Sequence, residues 1–124
     1  MTPETYILHL ASNDAWLAAV EKGAYYADSL STEGFIHCSK PSQIVEVANA
    51  FYRGQGGLVL LVIDPSKLKS ELKWEPPAEP APTHARAADL FPHIYGPLNL
   101  EAVIKVVAFE PDANGNFSLP EMLT

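Results

Sequence analysis

The stretch Gly34-Phe35-Ile36-His37-Cys38-Ser39 follows a turn signal and has the alternation of a short strand. Ser39-Lys40-Pro41 then has the composition of a helix start, so the strand is expected to lead directly into a helix. Because side chains alternate along a strand, Phe35, His37 and Ser39 are expected on one face. A histidine in this position either faces a ligand or is a hydrogen-bonded core residue, and the stretch alone leaves both interpretations open.

The remainder of the chain predicts one globular domain spanning residues 1–124. A chain of 124 residues can bury a real core. It contains no apolar run near the roughly 20 residues that cross a bilayer, and its first residues do not resemble a secretory signal, so the cytoplasm is the expected compartment. The single cysteine, Cys38, excludes an internal disulfide and a multi-cysteine metal site.

The charge of the chain argues against two classes of partner. Its formal net charge is −7, and its 8 lysines and arginines are scattered without a run. Phosphates are neutralised by clustered Lys and Arg, so neither general nucleic-acid binding nor attachment to an anionic membrane is expected. A small ligand remains the expected partner, and the sequence names no protein partner.

Hydrophobic periodicity predicts two early helices among several strands. One helix follows the N-cap cluster Ser12-Asn13-Asp14 and ends at Gly23, and the second covers residues 42–53. Leu58 to Ile63 is an unbroken aliphatic run, which is typical of a fully buried strand. The other predicted strands cover residues 5–10, 34–39, 71–75, 91–95, 102–109 and, after a hairpin turn at 112–116, 117–119.

This order of elements is typical of an α+β fold. Residues 98–101 are predicted as a turn. The Pro/Ala-rich segment 76–90 has no hydrophobic period, which favours a mobile loop over a lid on a site. His84 and Arg86 lie in this segment, and neither is a favoured site residue.

Three histidines, His9, His37 and His93, lie inside predicted strands and are flanked by apolar residues. One interpretation is a zinc site, since three imidazoles with an open fourth position form a known catalytic arrangement. No pair of these histidines has a short ligand spacing such as H-E-x-x-H, so no local motif supports a metal. A second interpretation is that each imidazole is a core group that is hydrogen-bonded to backbone.

The third interpretation is a polar cleft for a small ligand, in which the histidines donate hydrogen bonds to ribose or phosphate oxygens. Ser39, Tyr95 and Glu75 are the polar residues expected to assist them. A helix starting at residues 39–41 would add backbone N–H groups for an anion, and Glu75 could polarise a hydroxyl nucleophile. Pattern alone does not decide between this cleft and the structural interpretation.

Four short motifs resemble those of a small bacterial family, domain of unknown function 952, and the resemblance runs from Tyr6 to about Phe109. The motifs are Leu8-His9, Glu33-Gly34-Phe35-Ile36-His37-Cys38-Ser39, Trp74-Glu75 and Phe91-Pro92-His93-Ile94-Tyr95-Gly96. That family is in turn similar to the ADP-ribosyltransferase-like fold. There, two small, mostly antiparallel sheets form a split core around a cleft that holds NAD.

The resemblance implies a role for each histidine. His9 matches the first-strand histidine that contacts the nicotinamide ribose. His37 with Ser39 matches the second position, which in the RNA 2′-phosphotransferase branch is similarly a histidine followed by a small hydroxyl residue. His93, or with less support Glu75, would fill the third position as a base or electrostatic stabiliser.

Two departures from the family pattern limit the implied chemistry. The common transferases carry a glutamate after the third strand motif, where this chain has His93-Ile94-Tyr95. The phosphotransferase branch relies on several arginines, whereas this chain has only Arg53 and Arg86. Cleavage of NAD requires stabilisation of the developing charge, and this chain has few cations near the histidines. The sequence therefore favours binding of NAD over cleavage of NAD, and it supports removal of an RNA phosphate less than either.

The sequence therefore predicts a protein that binds NAD or a related ADP-ribose-containing nucleotide, with ADP-ribosyl transfer as its candidate enzyme activity. The three histidines are expected to converge on one cleft. The alternative function is a non-enzymatic binding module with structural histidines. The expected catalytic residues are His93, Glu75 and His37, and the expected cofactor-binding residues are His9, His37, Ser39 and Tyr95.

Overall fold

A computed structural model describes residues 6–76 and 90–120, which form antiparallel sheets and three α-helices. The helices are α1 (Asn13–Lys22), α2 (Asp28–Thr32) and α3 (Pro41–Phe51). The strands are β1 (Ile7–Ser12), β2 (Ala24–Tyr25), β3 (Ile36–His37), β4 (Leu58–Ile63), β5 (Glu71–Glu75), β6 (Phe91–Tyr95), β7 (Leu98–Asn99) and β8 (Val103–Phe109). The predicted α+β class, with small antiparallel sheets, is confirmed.

Strand β4 is the centre of the largest sheet, whose order is β1-β4-β8. All six of its side chains are buried, as the aliphatic run predicts. Alternate residues enter two different core clusters, so Leu60 packs on the side of α3 with Ile44, and Leu61 packs on the opposite side with Ile36. A strand buried on both faces needs apolar residues at every position.

Helix α1 begins and ends where its sequence signals predict. The Ser12 hydroxyl accepts a hydrogen bond from the Ala15 N–H at 3.0 Å, which satisfies one of the free donors of the first turn. Gly23 closes the helix with φ of 88°, a conformation that glycine adopts without strain. These two caps fix the direction in which the chain enters β2.

The second three-stranded sheet, in the order β3-β6-β5, carries most of the predicted site residues. His37 pairs with His93 across β3 and β6, and His93 pairs with Lys73 across β6 and β5. Ile36 and Ile94 on the other face of this sheet are fully buried in the core. Leu8 and Ser39 join the two sheets, because each N–H donates to the other residue's carbonyl at 2.8 Å.

The predicted strand 34–39 is reduced to two paired residues, Ile36–His37. The chain leaves β3 at Cys38, whose N–H donates to the Pro92 carbonyl, and Ser39 then pairs with β1 instead. The strand therefore bridges two sheets rather than extending one of them. Helix α3 follows at once, with the Gln43 side-chain oxygen accepting from the Lys40 N–H at 2.8 Å.

Three local predictions are wrong or incomplete. The expected returning strand at 117–119 does not form; Phe117 instead stacks on Phe109 with ring centroids 4.8 Å apart. The predicted turn at 98–101 begins with β7, which pairs with β2, before a 3-10 turn at Leu100–Ala102. Helix α2 was not predicted, because a five-residue helix has too few positions to show a period.

The Pro/Ala-rich segment predicted as a loop lies largely outside the described residues, which include only its ends, Pro76 and Leu90. His84 and Arg86 also lie outside them. Within residues 6–76 and 90–120, no helix is long and apolar enough to cross a membrane.

Candidate functional site

A cleft of about 610 Å³ lies between β1, β2, the segment leading into β3 and the C-terminal end of α3. Its size is within the range of small-molecule binding sites. The titratable and aromatic side chains that line it are His9, Tyr25, Tyr26, Asp28, Glu33, His37, Phe51 and Tyr52. Two of the three strand histidines therefore line this cleft.

Both ring nitrogens of His9 form hydrogen bonds to other groups of the protein. Its Nδ1 lies 2.6 Å from the His37 carbonyl oxygen, and its Nε2 lies 2.9 Å from the Tyr25 hydroxyl. A carbonyl only accepts, so Nδ1 carries the proton and Nε2 accepts from the Tyr25 O–H. Burial lowers the pKa of His9 to about 4, so the imidazole is neutral at pH 7.

Tyr25 is one of the cleft residues that the sequence did not predict. Its hydroxyl donates to His9, and burial raises its pKa to about 12, with smaller contributions from Tyr52 and Asp28. The hydroxyl therefore keeps its proton, and its oxygen retains lone pairs that can accept a hydrogen bond. The available signal was the aromatic pair Tyr25-Tyr26 directly after the glycine that ends α1.

His37 and Glu33 form a half-exposed pair at the cleft. The His37 Nε2 lies 3.0 Å from the Glu33 carboxylate, and the two side chains are 42% and 39% exposed. The Nε2–H donates to this carboxylate, and Nδ1 has no hydrogen-bond partner among the residues that the structure describes. His37 is thus an oriented imidazole with one nitrogen available to a ligand.

His93 lies beside His37 but does not line the cleft. The two rings are 5.6 Å apart between centroids, and the Phe35 ring stacks on His93 at 4.2 Å. His93 is buried, and its Nδ1–H donates to the Glu75 carboxylate at 2.8 Å. The expected convergence of three histidines is therefore limited to His9 and His37 at the cleft, and His93 instead packs against the Phe35 ring.

Glu75 and Tyr95 complete the cluster around His93. The Tyr95 hydroxyl donates to the same carboxylate oxygen of Glu75 at 2.7 Å. The Phe35 ring also packs near the Tyr95 ring, with ring centroids 5.3 Å apart. These two donors, Tyr95 first and His93 second, lower the pKa of Glu75. The predicted site residues Glu75, His93 and Tyr95 thus form one hydrogen-bonded group, adjacent to the cleft rather than in its wall.

We expect Tyr95→Phe to raise the pKa of Glu75 toward the ordinary glutamate value, because the variant removes the larger of the two hydrogen bonds to the carboxylate. A carboxylate with a lowered pKa in the folded state stabilises the fold above its unfolded-state pKa. This contribution to stability is lost as the pH falls through the folded-state pKa. The variant should therefore shift this acid-side loss of stability to higher pH. Carbon-detected NMR titration of the Glu75 carboxyl measures the change directly.

Tyr26→Phe is the matched control for this measurement, since Tyr26 is exposed and belongs to the cleft. It should leave the Glu75 titration unchanged. Identical Glu75 titration curves in wild-type protein and Tyr95→Phe would contradict the hydrogen-bonded cluster.

Two further residues of the β3 motif do not line the cleft. Ser39 is buried at the junction of the two sheets, where its backbone pairs with Leu8. Cys38 is buried on the core face, and burial raises the pKa of its thiol, so it is protonated and shielded at neutral pH. Among the described residues, no group of three His, Cys, Asp or Glu side chains is arranged to hold a metal ion.

Comparison with known proteins places the chain among structures without a stated activity. A family model described as a protein of unknown function, DUF952, matches residues 10–106. The crystal structure of protein CC0527 from Caulobacter crescentus has a TM-score of 0.80 and 32% identity, covering 96% of this chain and 98% of that chain. Its solution NMR structure has a TM-score of 0.73 and 34% identity, covering 90% of both chains. No curated protein matches significantly.

Proposed function

This chain belongs to the DUF952 family of proteins of unknown function, and from the geometry of its cleft we propose that it binds NAD or a related ADP-ribose-containing nucleotide. The observation that carries the proposal is the pair His37 and Tyr25, which present a free imidazole nitrogen and a protonated hydroxyl to the same cleft. A ribose hydroxyl can donate a hydrogen bond, and both groups that face the cleft, the His37 Nδ1 and the Tyr25 oxygen, are acceptors.

The proposed fold is the ADP-ribosyltransferase-like one. Its support is the arrangement of two small antiparallel sheets that meet where Leu8 pairs with Ser39. His9 stands next to this junction on β1, and His37 lies two residues before Ser39. A cleft that opens beside such a junction receives side chains from both sheets, which a single sheet cannot provide.

In the proposed complex, His9 acts as a positioning residue rather than as a direct contact. Both of its nitrogens are satisfied inside the protein, and its Nε2 orients the Tyr25 hydroxyl. The Tyr25 oxygen would accept from a ribose hydroxyl, and His37 Nδ1 would accept a second such bond. Glu33 holds the His37 ring by its Nε2–H.

A second candidate is ADP-ribosyl transfer, and the observation that favours it is the presence of a carboxylate, Glu33, in the cleft wall beside His37. A carboxylate there could stabilise the positive charge that develops at the ribose when its bond to nicotinamide breaks. The other candidate carboxylate, Glu75, is held by Tyr95 and His93 and does not line the cleft. Release of free nicotinamide from NAD, followed by proton NMR, distinguishes transfer or hydrolysis from binding alone.

A non-enzymatic module is the alternative, and it is favoured by the complete hydrogen bonding of His9. In that case the cleft holds its ligand unchanged, so NAD would bind and no nicotinamide would appear.

The test of the proposed function is an NMR titration of isotope-labelled protein with NAD up to millimolar concentration. We expect amide shifts at Tyr25, Glu33 and His37, and we expect His37→Ala and Tyr25→Phe each to weaken binding by about 3- to 10-fold. Loss of one net hydrogen bond costs about 0.5–1.5 kcal/mol, or about 2- to 12-fold in affinity, which includes that range.

Trp74→Ala is the control variant, because Trp74 is exposed on β5 and does not line the cleft. It should bind NAD as the wild type does, and circular dichroism should show that all three variants are folded. Absence of shifts at millimolar NAD, or shifts confined to residues outside the cleft, would overturn the proposal.

A further inference from the structure

The charge of the cleft wall is one-sided. Asp28 and Glu33 line it, whereas no lysine or arginine does so among the described residues. Glu33 is paired with His37, which carries a positive charge only when protonated. With neutral imidazoles, the wall is therefore net negative, and it attracts cations and repels anions.

Exposed aromatic rings form a second feature of the same cleft. Tyr26 is 58% exposed and Phe51 is 43% exposed, and Tyr52 lines the cleft next to Phe51. Aromatic side chains of this size are usually buried, so their exposure beside a cavity leaves ring faces free for a ligand. The face of an aromatic ring attracts a cation placed within about 6 Å of its centre.

The C-terminal end of α3 contributes to the same field. The C-terminal half of this eleven-residue helix lies at the cleft, which is lined by Val47, Phe51 and Tyr52. The last turn of the helix contains no basic residue. The C-terminal end of a helix carries a partial negative charge, which favours a nearby cation. The acidic wall and the helix end thus favour the same sign of charge.

We propose that this cleft selects a positively charged planar ring, of the size and charge of a pyridinium, over the same ring without its charge. The inference rests on the proposed function for the use of this cleft as the ligand site, and it adds the charge of the group that enters. The carboxylates of Asp28 and Glu33 supply the attraction, and the rings of Tyr26 and Phe51 supply the flat contact surface. The described wall offers no cationic side chain to a pyrophosphate, so the phosphates of a dinucleotide remain outside it.

A pair of small probes isolates the charge. 1-Methylnicotinamide and nicotinamide share the same ring and amide, and only the first carries a permanent positive charge. In NMR titrations of the full chain, we expect the cation to bind about 5- to 10-fold more tightly than the neutral ring. The difference should shrink as the salt concentration rises, because salt screens an exposed charge.

Three variants assign the effect to the cleft. Glu33→Gln and Asp28→Asn should each weaken binding of 1-methylnicotinamide about 3-fold more than binding of nicotinamide, since each removes one charge and keeps the side-chain shape. Glu21→Gln is the matched control, because Glu21 is an exposed carboxylate on α1 outside the cleft wall. It should change neither affinity.

The outcomes separate this inference from the proposed function. Equal affinity for the two probes, failure of both to bind, or a preference that survives Glu33→Gln and Asp28→Asn together would overturn the cation selectivity. If NAD binds while the probes show no preference, the proposed function stands and the inference falls. If 1-methylnicotinamide binds selectively and NAD does not bind, the charge selectivity stands and the nucleotide proposal falls.

Discussion

Leu60→Ala is expected to lower the free energy of unfolding by about 3 kcal/mol, within the range measured for buried leucine truncations. Leu60 is fully buried at the centre of β4, with Leu10 and Val107 as its neighbours across the two adjacent strands. Its side chain packs in the cluster under α3, which includes Ile44. Because β4 is paired on both sides, the surrounding strands cannot collapse easily into the cavity. Urea denaturation at neutral pH measures the change.

Leu17→Ala is the matched control for this core truncation. The same atoms are removed, but Leu17 is 53% exposed on α1, where alanine is also the better helix former. Its effect should stay within about 0.5 kcal/mol. If Leu60→Ala proved no more costly than Leu17→Ala, the central position of β4 in the core would be refuted.

The second large effect is a pH-dependent loss of stability that originates at His9. Its pKa is about 4 in the fold and 6.5 ordinarily, so between these values the unfolded chain binds a proton that the folded chain does not. Stability from this residue is therefore complete above about pH 6.5 and falls as the pH is lowered toward 4. Each pH unit within this window costs about 1.4 kcal/mol, so the expected loss from pH 7.5 to pH 5 is about 2 kcal/mol.

His9→Gln isolates this contribution, since glutamine offers an amide donor and a carbonyl acceptor but does not titrate. The variant should lose about 2 kcal/mol less stability than the wild type between the same two pH values, measured by urea denaturation. A readout on wild-type protein keeps the prediction testable if the variant does not fold. The ring resonances of His9 should show no titration between pH 7.5 and pH 5, and a midpoint near pH 6.5 would contradict its burial.

The candidate site was predictable in part, because some of its residues lie in short motifs with a strict strand alternation. The shared face of Phe35 and His37 and the shared face of His93 and Tyr95 follow from a period of two, and the ring contacts among these four residues confirm it. Tyr25 could not be found this way. It belongs to a two-residue strand, which has no measurable period, and it meets His9 only through the folded chain.

Which residues line the cleft could be predicted even less, because the cleft wall is assembled by contacts between distant segments. Glu33 belongs to a turn and was part of a family-like motif, but its pairing with His37 and its position in the cleft wall are tertiary facts. Sequence alone also could not separate His93 from the cleft, because the position of His93 depends on contacts between distant segments, such as its stacking with Phe35. The expected roles of Ser39, Glu75 and Tyr95 remain predictions.

The sequence by itself determined the α+β class, helix α1 with its Ser12 and Gly23 caps, and the bounds of β4. These features depend on local signals: a capping side chain, a glycine at positive φ, and an aliphatic run that only a buried strand accommodates. Tertiary structure alone decided that His9 is neutral and fully hydrogen-bonded, and that the cleft wall is acidic and aromatic. The burial and the net charge of a site depend on residues that folding brings together from separate elements. A local sequence pattern therefore cannot predict them.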